Sequence, residues 1–196
     1  MVAVLAAVAL QACGGGGNAT KAGSFVGRVE GTDAFIALVS DGTKVGGYVC
    51  DGNRVSTWFE VADISGGKAS LATRDGQALG EATLSGDTAT GTVSISGADH
   101  AFAAQLATGD AGLYRAVKGK AGQPGSVEVG WIVLGDGSQR GGTNFIDPNS
   151  QPAVPKPAPT LDTSATTVNV AGAGALSIAQ VTGPNGIRWL EGILSY

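Results

Sequence analysis

Between Phe25 and Leu134 the chain alternates apolar and polar positions in short segments. Val55, Thr57, Phe59 and Val61 oppose Ser56, Trp58 and Glu60; Ala89, Gly91, Val93 and Ile95 oppose a ladder of Thr88, Thr90 and Thr92. Val127, Val129, Trp131 and Val133 oppose Glu128, Gly130 and Ile132 in the same way. A repeat of two residues places successive side chains on opposite faces, which is the signature of a β-strand and not of a helix. The segments end at Asp41-Gly42, Asp51-Gly52, Gly66-Gly67, Asp75-Gly76, Gly86-Asp87, Gly97, Gly109-Asp110 and Asp136-Gly137. Such dipeptides supply the positive φ that tight hairpin turns require. The pattern predicts about ten strands at hairpin spacing, and no segment shows helical periodicity.

Strands joined by tight turns pair antiparallel with their neighbours, so the predicted fold is an all-β meander. A meander of this length closes readily, because closure removes both edges. An up-and-down β-barrel over residues 24–146 is the first expectation and a two-sheet β-sandwich the alternative. Many inward positions are Ala or Gly, which favours a packed interior over a ligand cavity. Residues 147–160, DPNSQPAVPKPAPT, hold five of the seven prolines and read as an extended linker. Residues 161–196 read as a small C-terminal hairpin segment built from Thr166 to Val170 and Ala175 to Val181, too short to bury a core alone and expected to dock on the barrel.

Composition narrows the partners. The 196 residues carry 16 acidic against 12 basic side chains, a formal net charge of -4, and only 14% charged residues overall. A mildly acidic surface repels phosphate backbones, and no basic cluster offsets it, so nucleic acid is excluded as a partner.

The N-terminus changes the picture most. Val2 to Leu10 is an apolar run too short to span a bilayer but suited to an export signal, giving a signal segment over 1–12. Leu10-Gln11-Ala12-Cys13 resembles the bacterial lipobox, in which cleavage before the Cys is coupled to lipidation of its thiol. The match lacks a basic residue ahead of the apolar run and carries an unusual Gln11; a start upstream of Met1 would explain the former. Residues 13–23 then form a Gly-rich tether. The reading gives an extracytoplasmic protein anchored to the cell membrane through lipidated Cys13.

Chemistry is sparse elsewhere. With Cys13 consumed, Cys50 has no disulfide partner within the chain. Cys50 and the single histidine, His100, form the one conceivable thiol–imidazole pair, as in a thiol-dependent cell-wall hydrolase or transferase. No nucleophile motif and no local positive charge supports that pair. One His and two Cys make no ordinary zinc site, the Asp-Gly carboxylates are spent on turns, and no cofactor is implied. Trp58 and Trp131 are candidate stacking platforms, although isolated tryptophans in strands are usually core.

The phrases Gly31 to Trp58, Ala107 to Arg115 and Gly130 to Gly141 resemble a family of uncharacterised exported actinobacterial proteins, over residues 24–181. The resemblance implies a cell-envelope β domain with no assigned activity. Arg115 and Arg140 lie in those phrases and serve either a binding surface or a structural salt link. The leading expectation is a non-enzymatic binding or scaffolding module whose partner is a protein or a cell-wall ligand. The alternatives are the thiol enzyme and a carrier of small hydrophobic ligands.

Overall fold

The computed structural model describes residues 19–73, 78–120, 123–146 and 155–194. Cys13, and with it the signal segment and most of the tether, lies outside the described residues. Eight strands follow one another as β1 (Gly23–Val29), β2 (Phe35–Ser40), β3 (Lys44–Cys50), β4 (Ser56–Asp63), β5 (Lys68–Ala72), β6 (Ala78–Ser85), β7 (Thr88–Ile95) and β8 (Ala98–Leu106). Their order in the sheet is β4-β3-β2-β1-β8-β7-β6-β5. The first and last strands therefore pair, Phe25 with Leu106 through Val29 with Phe102, and the sheet curls into a nearly closed barrel. Its seam lies between β4 and β5, which are neighbours in sequence.

The interior of this barrel is filled by alternate residues of every strand. Phe25, Ile36, Leu38, Val49, Phe59, Leu71, Leu84, Val93 and Phe102 interdigitate with Ala69, Ala82, Ala89 and Ala104. Large residues opposite small ones fill a narrow barrel at interior density, as the Ala-rich pattern predicts.

The barrel does not extend to residue 146. After Leu106 the chain enters a second sheet formed by β9 (Gly112–Lys118), β10 (Val127–Val133), β11 (Gln139–Phe145), β12 (Lys156–Pro157), β13 (Thr167–Val170) and β14 (Gly174–Val181). Its order is β12-β11-β10-β9-β14-β13, so the C-terminal hairpin joins β9 as a strand of the second sheet, and the segment docks on the barrel as expected through Val181, Ile187 and Leu190. The physical reason is burial on both faces. Every residue of β2 and of β10 is buried, and a strand with two apolar faces needs a layer on each side. The outward residues Val26, Phe35, Ala37, Val39 and Tyr48 of the barrel therefore pack on Leu113, Ile132 and Val181 of the second sheet. The far face of that sheet buries Trp131, Val129, Ala116 and Leu176 under the returning chain.

Part of the Pro-rich linker is structure. Lys156 and Pro157 pair with Thr143 and Gly142, and Ala158 donates its N–H to the Gly141 carbonyl at 2.9 Å. An edge strand tolerates proline because one row of its groups faces outward.

A helix, α1 (Gly183–Leu194), ends the described chain, where the alternation predicts none. Its apolar signal is short and interrupted by Gly183, Gly186 and Gly192, so periodicity alone misses it. Pro184 suits the first turn, Ile187 and Leu190 bury one face three residues apart, and Gly186 lets the backbone approach Val39. No helix of the described residues is long and apolar enough to cross a membrane.

Candidate functional site

The two sheets meet through a set of holes and knobs. Gly142, Gly130 and Arg115 are direct ladder partners across β11, β10 and β9. Tyr48 and Trp58 of the barrel, whose rings lie 4.3 Å apart, press onto this row. A Cβ on Gly130 would stand 2.7 Å from Tyr48 Cζ and 3.0 Å from Trp58 Cζ2, and one on Gly142 would stand 2.6 Å from Ser56. Ser56 in turn shares a 2.7 Å hydrogen bond with the Tyr48 hydroxyl and accepts one at 3.0 Å from Asn144 Nδ2.

The second sheet lies crosswise on the barrel. Val181, on β14, accepts a hydrogen bond from Ser24 at the start of β1, whereas Arg140, on β11, reaches Asp33 and Gly52 at the opposite end of the barrel strands. That opposite end holds the candidate site. A cleft of about 370 Å³ opens between the Asp33 turn, the Asp51-Gly52 turn, the start of β11 and the strap Pro157 to Thr160. Asp51 caps its own turn: Oδ1 accepts the N–H groups of Asn53, Arg54 and Val55 at 2.7, 2.8 and 2.9 Å. The turn needs Gly52, whose φ is 78°.

Arg140 is held without a carboxylate. Its Nε donates to the Asp33 carbonyl at 3.2 Å, its Nη1 to the Gln139 carbonyl at 3.1 Å, and its guanidinium carbon lies 4.9 Å from the Phe35 ring centre. The strap is fixed by side chains. Trp131 Nε1 donates to the Pro159 carbonyl at 2.8 Å, while the Gln139 amide exchanges two hydrogen bonds with the Leu161 backbone.

The remaining sequence candidates scatter. Cys50, Phe35, Arg28 and Ala103 are successive ladder partners on four adjacent strands, all with side chains on the outer face. His100 stands three residues before Ala103 and so projects from the other face of the wall. Three strand spacings, about 14 Å, already separate the two elements. Cys50 and His100 are not brought together. Cys50 is fully buried, burial raises its thiol pKa, and its sulfur accepts the Gly52 N–H at 3.2 Å. His100 Nδ1 faces the Glu30 carbonyl at 3.1 Å.

Trp58 and Trp131 are 9% and 1% exposed; Trp58 packs between the two sheets, whereas Trp131, largely buried under the strap, is among the residues that line the cleft. Of the two salt-link candidates, neither joins the ion pairs found among the described residues, Lys21–Asp87, Arg28–Asp136 and Lys44–Glu191. Arg115 instead lies half-buried 3.9 Å from the centre of the Trp189 ring, and burial lowers its pKa to about 10. Asp33, Gln139 and Thr160 were not singled out by the sequence; Asp33 falls in the Gly31 to Trp58 phrase and Gln139 in the Gly130 to Gly141 phrase, and only packing brings the strap to the turns. Among the described residues no three His, Cys, Asp or Glu side chains converge on a cation site. Comparison of the chain with protein-family models, curated proteins and solved structures finds no match.

Proposed function

We propose that the protein is a lipid-anchored, non-catalytic binding module of the cell envelope. Cys13 holds it to the membrane, and its ligand enters the cleft beside Arg140. The observation that carries this reading is the placement of the two ends. The chain enters the barrel where Thr20 donates to the Leu84 carbonyl and Lys21 pairs with Asp87 at 2.6 Å. The cleft opens at the other end of β1 to β4, about 23 Å away for strands of seven residues. A tether at one pole leaves the cleft at the other facing away from the bilayer, where a wall or protein ligand is met.

The lipobox-like Leu10 to Cys13, the Gly-rich tether and the resemblance to exported proteins support the anchor. An anchor of several acyl chains holds firmly where one chain is marginal. The separation of Cys50 from His100 weighs against the thiol pair, and the packing of Phe25, Phe59 and Phe102 inside the barrel weighs against the hydrophobic-carrier reading.

The test is mass spectrometry of the membrane fraction of the expressing bacterium. A diacylglyceryl-modified N-terminal Cys13 is expected, with Cys13→Ser shifting the protein out of the membrane fraction. Intact Met1 on a protein recovered from the cytosol would end this reading.

A further inference from the structure

The cleft's chemistry narrows the ligand. We infer that it takes a neutral, polyhydroxylated ligand, a segment of an uncharged glycan. This rests on the reading of the cleft as the binding site, not on the anchor.

The mouth is lined by three charged residues of mixed sign, Asp33, Arg140 and Asp51. Among the described residues the Asp33 carboxylate and Asp51 Oδ2 accept no hydrogen bond, and Arg140 Nη2 donates none. An anion drawn to Arg140 shares the cleft with two carboxylates, and an ammonium drawn to a carboxylate shares it with the guanidinium. Each therefore meets like charge within one lining, which costs affinity. A hydroxyl donates to a carboxylate and accepts from a guanidinium, so a polyhydroxylated ligand satisfies both signs without repulsion. Thr160 adds one more hydroxyl.

The opposite wall carries Pro157, Ala158 and Pro159, on a strap tied to Gly141, Gly142, Gln139 and Trp131 by the bonds given above. A sugar ring has such a division, with C–H groups on its faces and hydroxyls at its rim. Its loss of freedom on binding is met by groups that are already fixed. A volume of about 370 Å³ lies at the lower end of small-ligand sites and holds one or two sugar rings.

The experiment uses the chain from Cys13 onward with Cys13→Ser, titrated with maltotetraose and, separately, with tetra-N-acetylchitotetraose, while amide and arginine side-chain NMR signals are followed. Saturable shifts at Arg140 Nε–H, Gly52 and Thr160 with either sugar are expected at millimolar concentration. Asp33→Asn and Arg140→Gln should each weaken binding about tenfold, the loss of one hydrogen bond to a charged group. Asp33→Asn alters an exposed side chain, so its melting temperature should match that of the parent. Trilysine and triglutamate are the charged probes. Shifts at the cleft with either of them and with neither sugar overturn the inference, as does an absence of cleft shifts with all four. Sugar binding by a chain that is never lipidated would remove the anchor and leave this inference standing; lipidation without sugar binding would do the reverse.

Discussion

Gly130→Ala tests how the barrel and the second sheet are joined. Gly130 lies in a regular strand, and its φ is not among the positive values. A Cβ there carries no backbone penalty, and alanine would ordinarily stabilise a strand glycine by about 0.5–1 kcal/mol. The structure reverses that sign. The added carbon meets Tyr48 Cζ at 2.7 Å, Tyr48 Cε1 at 2.8 Å and Trp58 Cζ2 at 3.0 Å. These are ring atoms of residues 0% and 9% exposed, and the Tyr48 hydroxyl is pinned to Ser56. Neither ring swings aside without loss, so the sheets must part by about 1 Å to restore contact distance, which weakens dispersion along the whole interface. Overpacking of this kind costs about 1–3 kcal/mol. A chain of this length loses about 2–4 °C of melting temperature per kcal/mol. Urea denaturation followed by tryptophan fluorescence should show a lower midpoint, with Gly135→Ala as the control because a Cβ there meets nothing within 4 Å. A Gly130→Ala midpoint at or above that of the parent would refute the knob-in-hole account of the interface.

Two further outcomes follow from the buried thiol and from the Asp136 turn. Cys50 in the folded protein should resist iodoacetamide near neutral pH and react fully in urea, because burial keeps the thiol protonated above its ordinary 9.0. Rapid labelling of the native state would contradict its position. The same raised pKa means that the unfolded chain releases this proton first, so stability is intact below the unfolded thiol pKa and declines as pH rises through the folded one. Asp136 is held down to about 2, first by the Ser138 hydroxyl and backbone N–H and then by Arg28. Its contribution is present above the unfolded carboxylate value and fades as pH falls toward 2; Ser138→Ala should move its NMR titration midpoint upward, and an unmoved midpoint would show that Ser138 is not the cause.

Much of the fold was written in the chain as a local rule. Alternation of period two and turn dipeptides with Asp or Gly are properties of adjacent residues, and they mark β1 to β10 and the hairpin β13 to β14 almost residue by residue. Where the rule is weak the reading fails. β11, QRGGTNF, has no alternation because its glycines are notches for Trp131, Tyr48 and Ser56 from other elements. In the helix α1, Gly186 interrupts the apolar pattern for a related reason, the close approach of the backbone to Val39 and Val181.

The strands, their antiparallel neighbours and the small-residue interior follow from local sequence, since each depends on a few consecutive residues. The proposed anchor at Cys13 rests on the lipobox-like Leu10 to Cys13, a linear pattern and not a fold. Tertiary structure alone decided where the meander closes, because pairing of β1 with β8 depends on the accumulated twist of eight strands and not on any one of them. It decided that β9 to β11 leave the barrel, because only a second layer buries the outer face of β2 and β3. It placed Cys50 and His100 on opposite faces of one wall, and it gathered Asp33, Asp51, Arg140 and the proline strap from four separate stretches into one cleft. Long-range placement of this kind is a balance of burial over the whole molecule, and no short stretch of residues contains it.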